Sequence, residues 1–244
     1  MRNKLLRKKT TLFISLIIII GIAIYNVVDF KEYEFSEYDI ELVNYFNEVA
    51  LNAEYDVSPN KITKWTEPMK VFIFKEKELN YEVSIIKNTI EKINNLVQDG
   101  FQVQLTDDPK KCNAVIFLTE REILEPLVPT LFENFNTEVD GAAEIIFDLE
   151  TFEIINAKIF IDILQPKETI ETTILEEITQ IIGLMNDSEK YYDSVFYENK
   201  VDSIITVEYS KMDKEIIKIL YHPKMKPGLD YNKAEKVIKQ ILKK

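Results

Sequence analysis

The sequence predicts an α+β fold, a mixed β-sheet with packed helices, preceded by a single N-terminal transmembrane helix. Three observations support this prediction: a long uncharged apolar run near the N-terminus, several apolar runs of strand length, and segments with apolar residues at helical spacing. The chain has 244 residues, of which 46% are hydrophobic and 30% are charged. This composition is typical of a folded globular protein and not of a disordered chain.

The N-terminal segment has the charge pattern of a membrane anchor. Residues 1–9 carry five basic side chains, and the nineteen residues Thr10–Val28 carry no charge. About 20 apolar residues cross the hydrocarbon core of a bilayer as a helix. Acidic residues follow from Asp29 onward, so residues 1–9 are predicted to be a cytoplasmic basic tail, and the chain after residue 28 is predicted to be extracytoplasmic. Residues 10–28 are the predicted transmembrane signal anchor.

A cleaved signal peptide is the competing interpretation of this segment. Such peptides have a shorter apolar core and end at a small-x-small cleavage site. Here the apolar run is long and ends in Tyr25-Asn26-Val27-Val28, without an A-x-A sequence. The pattern therefore favours an anchor that is not removed.

Residues 29–65 are predicted to form a juxtamembrane stalk that contains one helix. Ser36 or Asp39 can cap this helix, which would run to about Tyr55. One of its faces carries apolar residues at helical spacing: Ile40, Val43, Phe46 and Val49 or Ala50. Residues 66–244 are predicted to form the extracytoplasmic domain.

Within this domain, strands and helices follow one another in an order typical of a mixed sheet. The predicted strands are Met69–Phe74, Phe101–Leu105, Ala114–Leu118, Glu144–Asp148 and Glu153–Leu164. The last two form a hairpin, and the final strand carries one apolar face made of Ile155, Ala157, Ile159, Ile161 and Ile163. The predicted helices are Leu79–Gln98, Lys167–Ile182, Lys211–Tyr221 and a last one that ends at Leu242.

Composition excludes several functional classes. The formal net charge is −12, and the first ten residues contribute +5, which leaves −17 for the rest of the chain. Nucleic acid is therefore not an expected partner, because phosphate binding needs clustered Lys and Arg. One His and one Cys exclude an H-E-x-x-H zinc site and an internal disulfide. The five Gly form neither a P-loop nor a G-x-G-x-x-G run.

The end of the predicted helix Lys167–Ile182 has the spacing of a zinc-protease motif. The run from Glu176 to Asn186, EEITQIIGLMN, matches H-E-x-x-H-x-x-G-x-x-H position by position. Glu177 stands at the catalytic Glu position, and Gly183 stands where the chain turns. The three His positions hold Glu176, Gln180 and Asn186 instead. Residues four apart lie on one helix face, so these three side chains are expected to converge once the chain turns at Gly183.

The run EEITQIIGLMNDS, followed by DSVF and LYHPKMKPG, resembles the family catalogued as domain of unknown function 2927. The resemblance covers about Phe46–Gly228. It implies an exported protein with a zincin-like fold, in which a metzincin-type motif has lost its three His ligands. It implies no particular reaction.

Two functions are compatible with this motif. In the first, the domain is a non-catalytic binding or assembly module at the cell surface, where it meets a protein or peptide, and Gln180 and Asn186 tie the helix end to the next loop. In the second, it is a metal-dependent, peptidase-like hydrolase with Glu177 as general base and Glu176, Gln180 and Asn186 as ligands. Asp187 and Gly183 would support such a site. Oxygen ligands suit Ca²⁺ or Mg²⁺ better than Zn²⁺.

His222 stands between Tyr221 and Pro223, at the end of a predicted helix. This position is typical of a helix cap or a loop residue. A Ser-His-Asp triad would have to use His222, and no G-x-S-x-G sequence accompanies it. His222 is therefore predicted to have a structural role and not to be a ligand.

Overall fold

A computed structural model describes residues 34–52, 60–133, 135, 139–198 and 205–243. Within these residues, five strands form one sheet in the order β2-β1-β3-β5-β4. The strands are β1 (Met69–Lys75), β2 (Val103–Leu105), β3 (Ala114–Thr119), β4 (Gly141–Phe147) and β5 (Ile154–Asp162). Neighbouring strands are parallel, except that β4 pairs antiparallel with β5 at one edge. The predicted mixed sheet is confirmed.

Helices cover both faces of this sheet. They are α1 (Glu37–Leu51), α2 (Asn80–Leu96), α3 (Arg121–Leu124), α4 (Lys167–Gln180), α5 (Lys211–Leu220) and α6 (Tyr231–Leu242), with a 3₁₀ helix at Pro129–Phe132. Helix α4 packs on α2, β4 and β5. On the opposite face, the segment that contains α3 and the 3₁₀ helix covers a small apolar cluster around Phe160 and Ala142. The sheet therefore separates two apolar layers.

The predicted transmembrane segment, residues 10–28, lies outside the described residues. Among the helices of the described ranges, none is long and apolar enough to cross a bilayer.

Helix α1 is part of the domain, and its assignment to a stalk is wrong. Of the two predicted caps, Ser36 is the N-cap, and Asp39 completes a capping box with it. The apolar face of α1 packs against α5 and α6. Val43 and Phe46 are buried there as expected, whereas Ile40 is 49% exposed. The compact unit accordingly begins at Ser36 and runs to Lys244. A helix with such a buried face needs the remainder of the core to cover it.

The predicted apolar face of β5 does not include Ile155, near the start of the strand. Ala157, Ile159 and Ile161 are buried on one side as predicted, but Ile155 is 54% exposed. Between Ile146 and Phe147 of β4, the pairing jumps from Asn156 to Ile154, which leaves Ile155 as an extra residue. A β-bulge of this kind reverses the side on which the preceding residues point. Ile154 therefore enters the core in place of Ile155.

Candidate functional site

Helix α4 carries the motif-like run and presents the predicted apolar stripe to the core. Ile170, Ile174 and Ile178 on the helix, and Ile181 just beyond it, are buried. The helix ends at Gln180, and the chain turns at Gly183. The predicted turn is confirmed.

Gly183 meets two separate requirements at this turn. Its φ is +109°, a conformation that L side chains rarely adopt. In addition, a Cβ atom on Gly183 would lie 2.1 Å from the carbonyl oxygen of Thr63. The chain segment around Thr63 therefore packs directly onto the turn, a contact that no local pattern in the sequence indicates.

The carbonyl groups at the end of α4 are satisfied by side chains from distant parts of the chain. The indole Nε1 of Trp65 donates to the carbonyl oxygen of Ile181 at 2.8 Å. The hydroxyl of Tyr221 donates to the carbonyl oxygen of Ile182 at 2.9 Å. Both aromatic side chains are fully buried. The helix end is thereby held in place, because its last carbonyls have no partner within the helix.

Glu177 faces the edge strand β4. Its side chain is 8% exposed, and a Cβ atom on Gly141 would lie 2.6 Å from its Oε1 and 3.1 Å from its Cγ. Thr173 lies one turn earlier on the same face of α4. The same Cβ atom on Gly141 would be only 2.3 Å from Cγ2 of Thr173. Gly141 thus lets the first residue of β4 approach the carboxyl group. Gly141 belongs to none of the sequence patterns described above, and the only sign of its importance in the sequence is that the chain has just five glycines.

Glu176 is half-buried and lies beside Glu177 on α4. Consecutive helix residues point about 100° apart. The two carboxyl groups therefore do not face one another as an acid–base pair.

Gln180 and Asp187 are brought into direct contact by the turn. The Nε2 of Gln180 donates to Oδ1 of Asp187 at 2.9 Å, and Gln180 is almost completely buried. Asn186 turns toward the same residue, with its Nδ2 2.6 Å from the carbonyl oxygen of Asp187. The backbone N–H of Asn186 donates to the carbonyl of Val49 on α1 at 3.2 Å. These bonds join the end of α4, the following loop and α1.

The donor chemistry around Asp187 differs from that of a metal site. A carboxylate can only accept hydrogen bonds, so Gln180 must present its NH₂ group to Asp187 and not its oxygen. Across the described ranges, no group of three or more His, Cys, Asp or Glu side chains is arranged to hold a metal ion.

A cleft of about 470 Å³ opens beside this network. Asn186 and Asp187 form part of its wall, and most of its remaining lining is charged. The other lining residues are Glu48, Ser188, Glu189, Lys190 and Glu198. The ammonium group of Lys190 pairs with the carboxylate of Glu48, so acidic groups outnumber basic ones in the cleft.

His222 lies in the turn after α5, as predicted for a loop or cap residue. Its Nδ1 accepts a hydrogen bond from the backbone N–H of Lys224 at 3.1 Å. Partial burial, together with the nearby cations Lys224 and Lys64, lowers the pKa of His222. Its hydrogen bond ties the turn together, which accounts for the residue without a catalytic role.

Comparison with known proteins assigns the chain to a family. No curated protein matches the chain. Among solved structures, the crystal structure of myroilysin is similar, with 12% sequence identity and a TM-score of 0.42 over 79% of this chain and 99% of that chain. The sequence profile described as "Protein of unknown function (DUF2927)" matches residues 39–240, which include all of the site described above. The chain therefore belongs to the DUF2927 family.

Proposed function

We propose that this protein is a membrane-anchored extracytoplasmic module whose zincin-like domain binds a partner at the cell surface without catalysing a reaction. The hydrogen bond from Gln180 to Asp187 carries this proposal. Gln180 holds one of the three ligand positions of the motif, and this hydrogen bond uses its side chain within the protein. Asn186, the second, is likewise turned onto the backbone of Asp187.

The cleft beside Asp187 is the surface where a partner would bind. Four carboxylates and one ammonium group line it, and the ammonium group already pairs with Glu48. Its chemistry favours a partner with basic side chains, because opposite charges steer association and fix its orientation. A peptide segment rich in Lys or Arg is the partner class that fits.

A lysine-rich synthetic peptide tests this binding directly. We expect the full-length protein to bind it, with an affinity that falls as salt rises, and we expect Glu189→Lys combined with Glu198→Lys to weaken binding. The matched control is Glu122→Lys combined with Glu150→Lys, which reverses two exposed charges outside the cleft. Equal affinities for the two double variants would contradict the assignment of the partner to the cleft.

A metal-dependent, peptidase-like hydrolase is the second candidate. The position of Glu177 at the sheet edge, six residues before the turn at Gly183, favours it. In that case Glu177 would be the general base and Glu176, Gln180 and Asn186 would hold a hard ion such as Ca²⁺ or Mg²⁺.

Peptide hydrolysis by the full-length protein distinguishes the two candidates. We expect no cleavage of a mixed-sequence fluorogenic peptide pool with Ca²⁺, Mg²⁺ or Zn²⁺, and no difference between the wild type and Glu177→Gln beyond a change in stability. Cleavage that disappears in a folded Glu177→Gln variant would establish the hydrolase instead. Glu168→Gln, which neutralises an exposed carboxylate in the first turn of α4 outside the motif, serves as the control for a simple loss of charge on this helix.

The proposed location depends on residues 10–28 acting as an uncleaved anchor. We expect the protein to stay in the membrane fraction after alkaline carbonate extraction, and its C-terminal domain to be accessible to protease added from outside the cell. Release of the domain by carbonate would contradict the anchor and would favour the cleaved signal peptide.

A further inference from the structure

A second cluster of polar side chains lies where the parallel strands β3 and β5 end, on the face of the sheet opposite α4. Thr119 of β3 is the register partner of Asp162 on β5. The backbone N–H of Asp162 donates at 2.9 Å to the carbonyl of Asp140, which directly precedes β4. The three residues therefore form one row across three neighbouring strands, and residues opposite one another in a sheet share a face.

The neighbouring residues show on which face of the sheet this row lies. Gly141 is paired with Ile161 and meets Thr173 and Glu177 of α4. Successive residues of a strand point to opposite faces. The row formed by Thr119, Asp162 and Asp140 consequently lies on the other side of the sheet from Glu177, next to the cluster around Phe160.

Thr119 is the unusual member of the row. Its side chain is 1% exposed, and within the described residues its Oγ1 has no hydrogen-bond partner. A buried hydroxyl without a partner is unfavourable, and such a group calls for an explanation such as a bound water or ion. Thr119 and Asp162 are register partners, so their side chains leave the sheet side by side on this face.

The two carboxylates of the row repel each other. Asp140 lies directly opposite Asp162 in the antiparallel pairing of β4 and β5, and like charges at such positions are unfavourable. Asp162 already accepts from the backbone N–H of Leu164 through Oδ1 at 2.9 Å, and its Oδ2 lies 3.5 Å from Nε2 of Gln165. These neutral donors orient the carboxylate without cancelling its charge. Farther along the same face, Lys158 is engaged by Glu144 at 2.8 Å.

We infer that Asp140, Asp162 and Thr119 form a binding site for a hard divalent cation, Ca²⁺ or Mg²⁺. Two carboxylates and a hydroxyl oxygen are the ligand types that these ions prefer, and water completes their coordination. The ion offsets the repulsion between the two Asp side chains and supplies the missing partner of Thr119. It also ties the edge strand β4 to β5 and β3, which positions Gly141 under Glu177. The site is separate from the motif residues of α4 and does not depend on the proposed function.

Isothermal titration of the full-length protein with Ca²⁺ and with Mg²⁺ tests the site. With only two carboxylates, a Kd of about 10⁻⁴–10⁻³ M is expected. Asp162→Asn should weaken binding by about tenfold or more, because affinity follows the charge count of the ligands. Thr119→Val, which keeps the shape of the side chain and removes the hydroxyl, should weaken binding in the same direction. The ion that binds more tightly identifies the preferred cation.

Two control variants locate the ion. Asp107→Asn removes an exposed carboxylate that follows β2 at the other edge of the sheet, and it should leave the affinity unchanged. Glu176→Gln should also leave it unchanged, which separates this site from the motif on α4. No binding at about 10 mM cation, tenfold above the weakest expected Kd, would overturn the inference. So would an affinity that survives both Asp162→Asn and Thr119→Val, since Thr119 would then be a structural hydroxyl only.

Discussion

The carboxyl group of Glu177 lies against Gly141, so closely that a Cβ atom on Gly141 would be 2.6 Å from Oε1. This contact places the motif glutamate at the first residue of the edge strand, where α4 and β4 meet. It also means that any side chain at position 141 would have to displace Glu177, Thr173 or the strand.

Gly141→Ala should therefore destabilise the protein. We expect a loss of about 1–3 kcal/mol in the free energy of unfolding, as is typical of overpacking, measured by urea denaturation. Adding Thr173→Ser should restore part of this loss, because it removes the Cγ2 atom 2.3 Å from the new methyl group and keeps the hydroxyl that donates to the carbonyl of Thr169. A neutral Gly141→Ala would contradict the close approach.

Gly183→Ala should cost more than Gly100→Ala. Both glycines have a positive φ, +109° and +94° respectively, but only Gly183 meets backbone atoms, with the carbonyl oxygen of Thr63 at 2.1 Å. Backbone strain alone is expected to cost about 1–3 kcal/mol in each variant, so the difference between them measures the clash with Thr63. If thermal unfolding shows the same loss of stability for Gly183→Ala and Gly100→Ala, the segment around Thr63 can move away from the new methyl group.

The Gln180–Asp187 contact should give a measurable coupling energy. In a double-mutant cycle with Gln180→Met and Asp187→Ala, we expect about 1–2 kcal/mol from the charge-assisted hydrogen bond. A parallel cycle that combines Gln180→Met with Glu189→Ala is the control, because Glu189 is exposed. Coupling near zero in both cycles would remove the observation on which the non-catalytic function rests.

Asp213 on α5 is completely buried and organises a third polar network. Its carboxylate accepts from the hydroxyl of Ser194 at 2.7 Å, from the backbone N–H of Ser210 at 2.9 Å and from that of Val195 at 3.2 Å. The Ser194 hydroxyl also bonds to that of Tyr45 on α1. Burial raises the pKa of Asp213 despite these hydrogen bonds.

This shift predicts the direction of a pH effect. The folded protein binds the Asp213 proton more tightly than the unfolded chain does, so this residue's contribution to stability is largest below about pH 4 and is lost as pH rises through its raised pKa. We expect Asp213→Asn to abolish this contribution, so that the stability of the variant relative to the wild type increases with pH. Urea unfolding at several pH values between about 4 and 7 measures the difference, with Asp107→Asn as the control. Parallel curves for wild type and Asp213→Asn would contradict the shift.

The local elements were predictable because their signals are short in range. Periodic isoleucines predicted α4 and its buried stripe, and Ser36 predicted the start of α1 through capping chemistry that spans only four residues. The exposed Ile155 was not predictable, since the bulge that displaces it depends on how β4 pairs with β5. The placement of α1 in the domain was likewise not predictable, because its apolar face does not indicate which helices will cover it.

Spacing along one helix and one turn was enough to name Glu176, Glu177, Gln180 and Asn186 and to predict the turn at Gly183. Their surroundings come from residues far away in the chain: Gly141 approaches Glu177, Thr63 closes on Gly183, and Trp65 and Tyr221 hold the helix end. The row of Thr119, Asp162 and Asp140 exists only once the strand register is set. A side chain's chemical type and helical phase are local properties, whereas burial and hydrogen-bond partners depend on segments that only folding brings together.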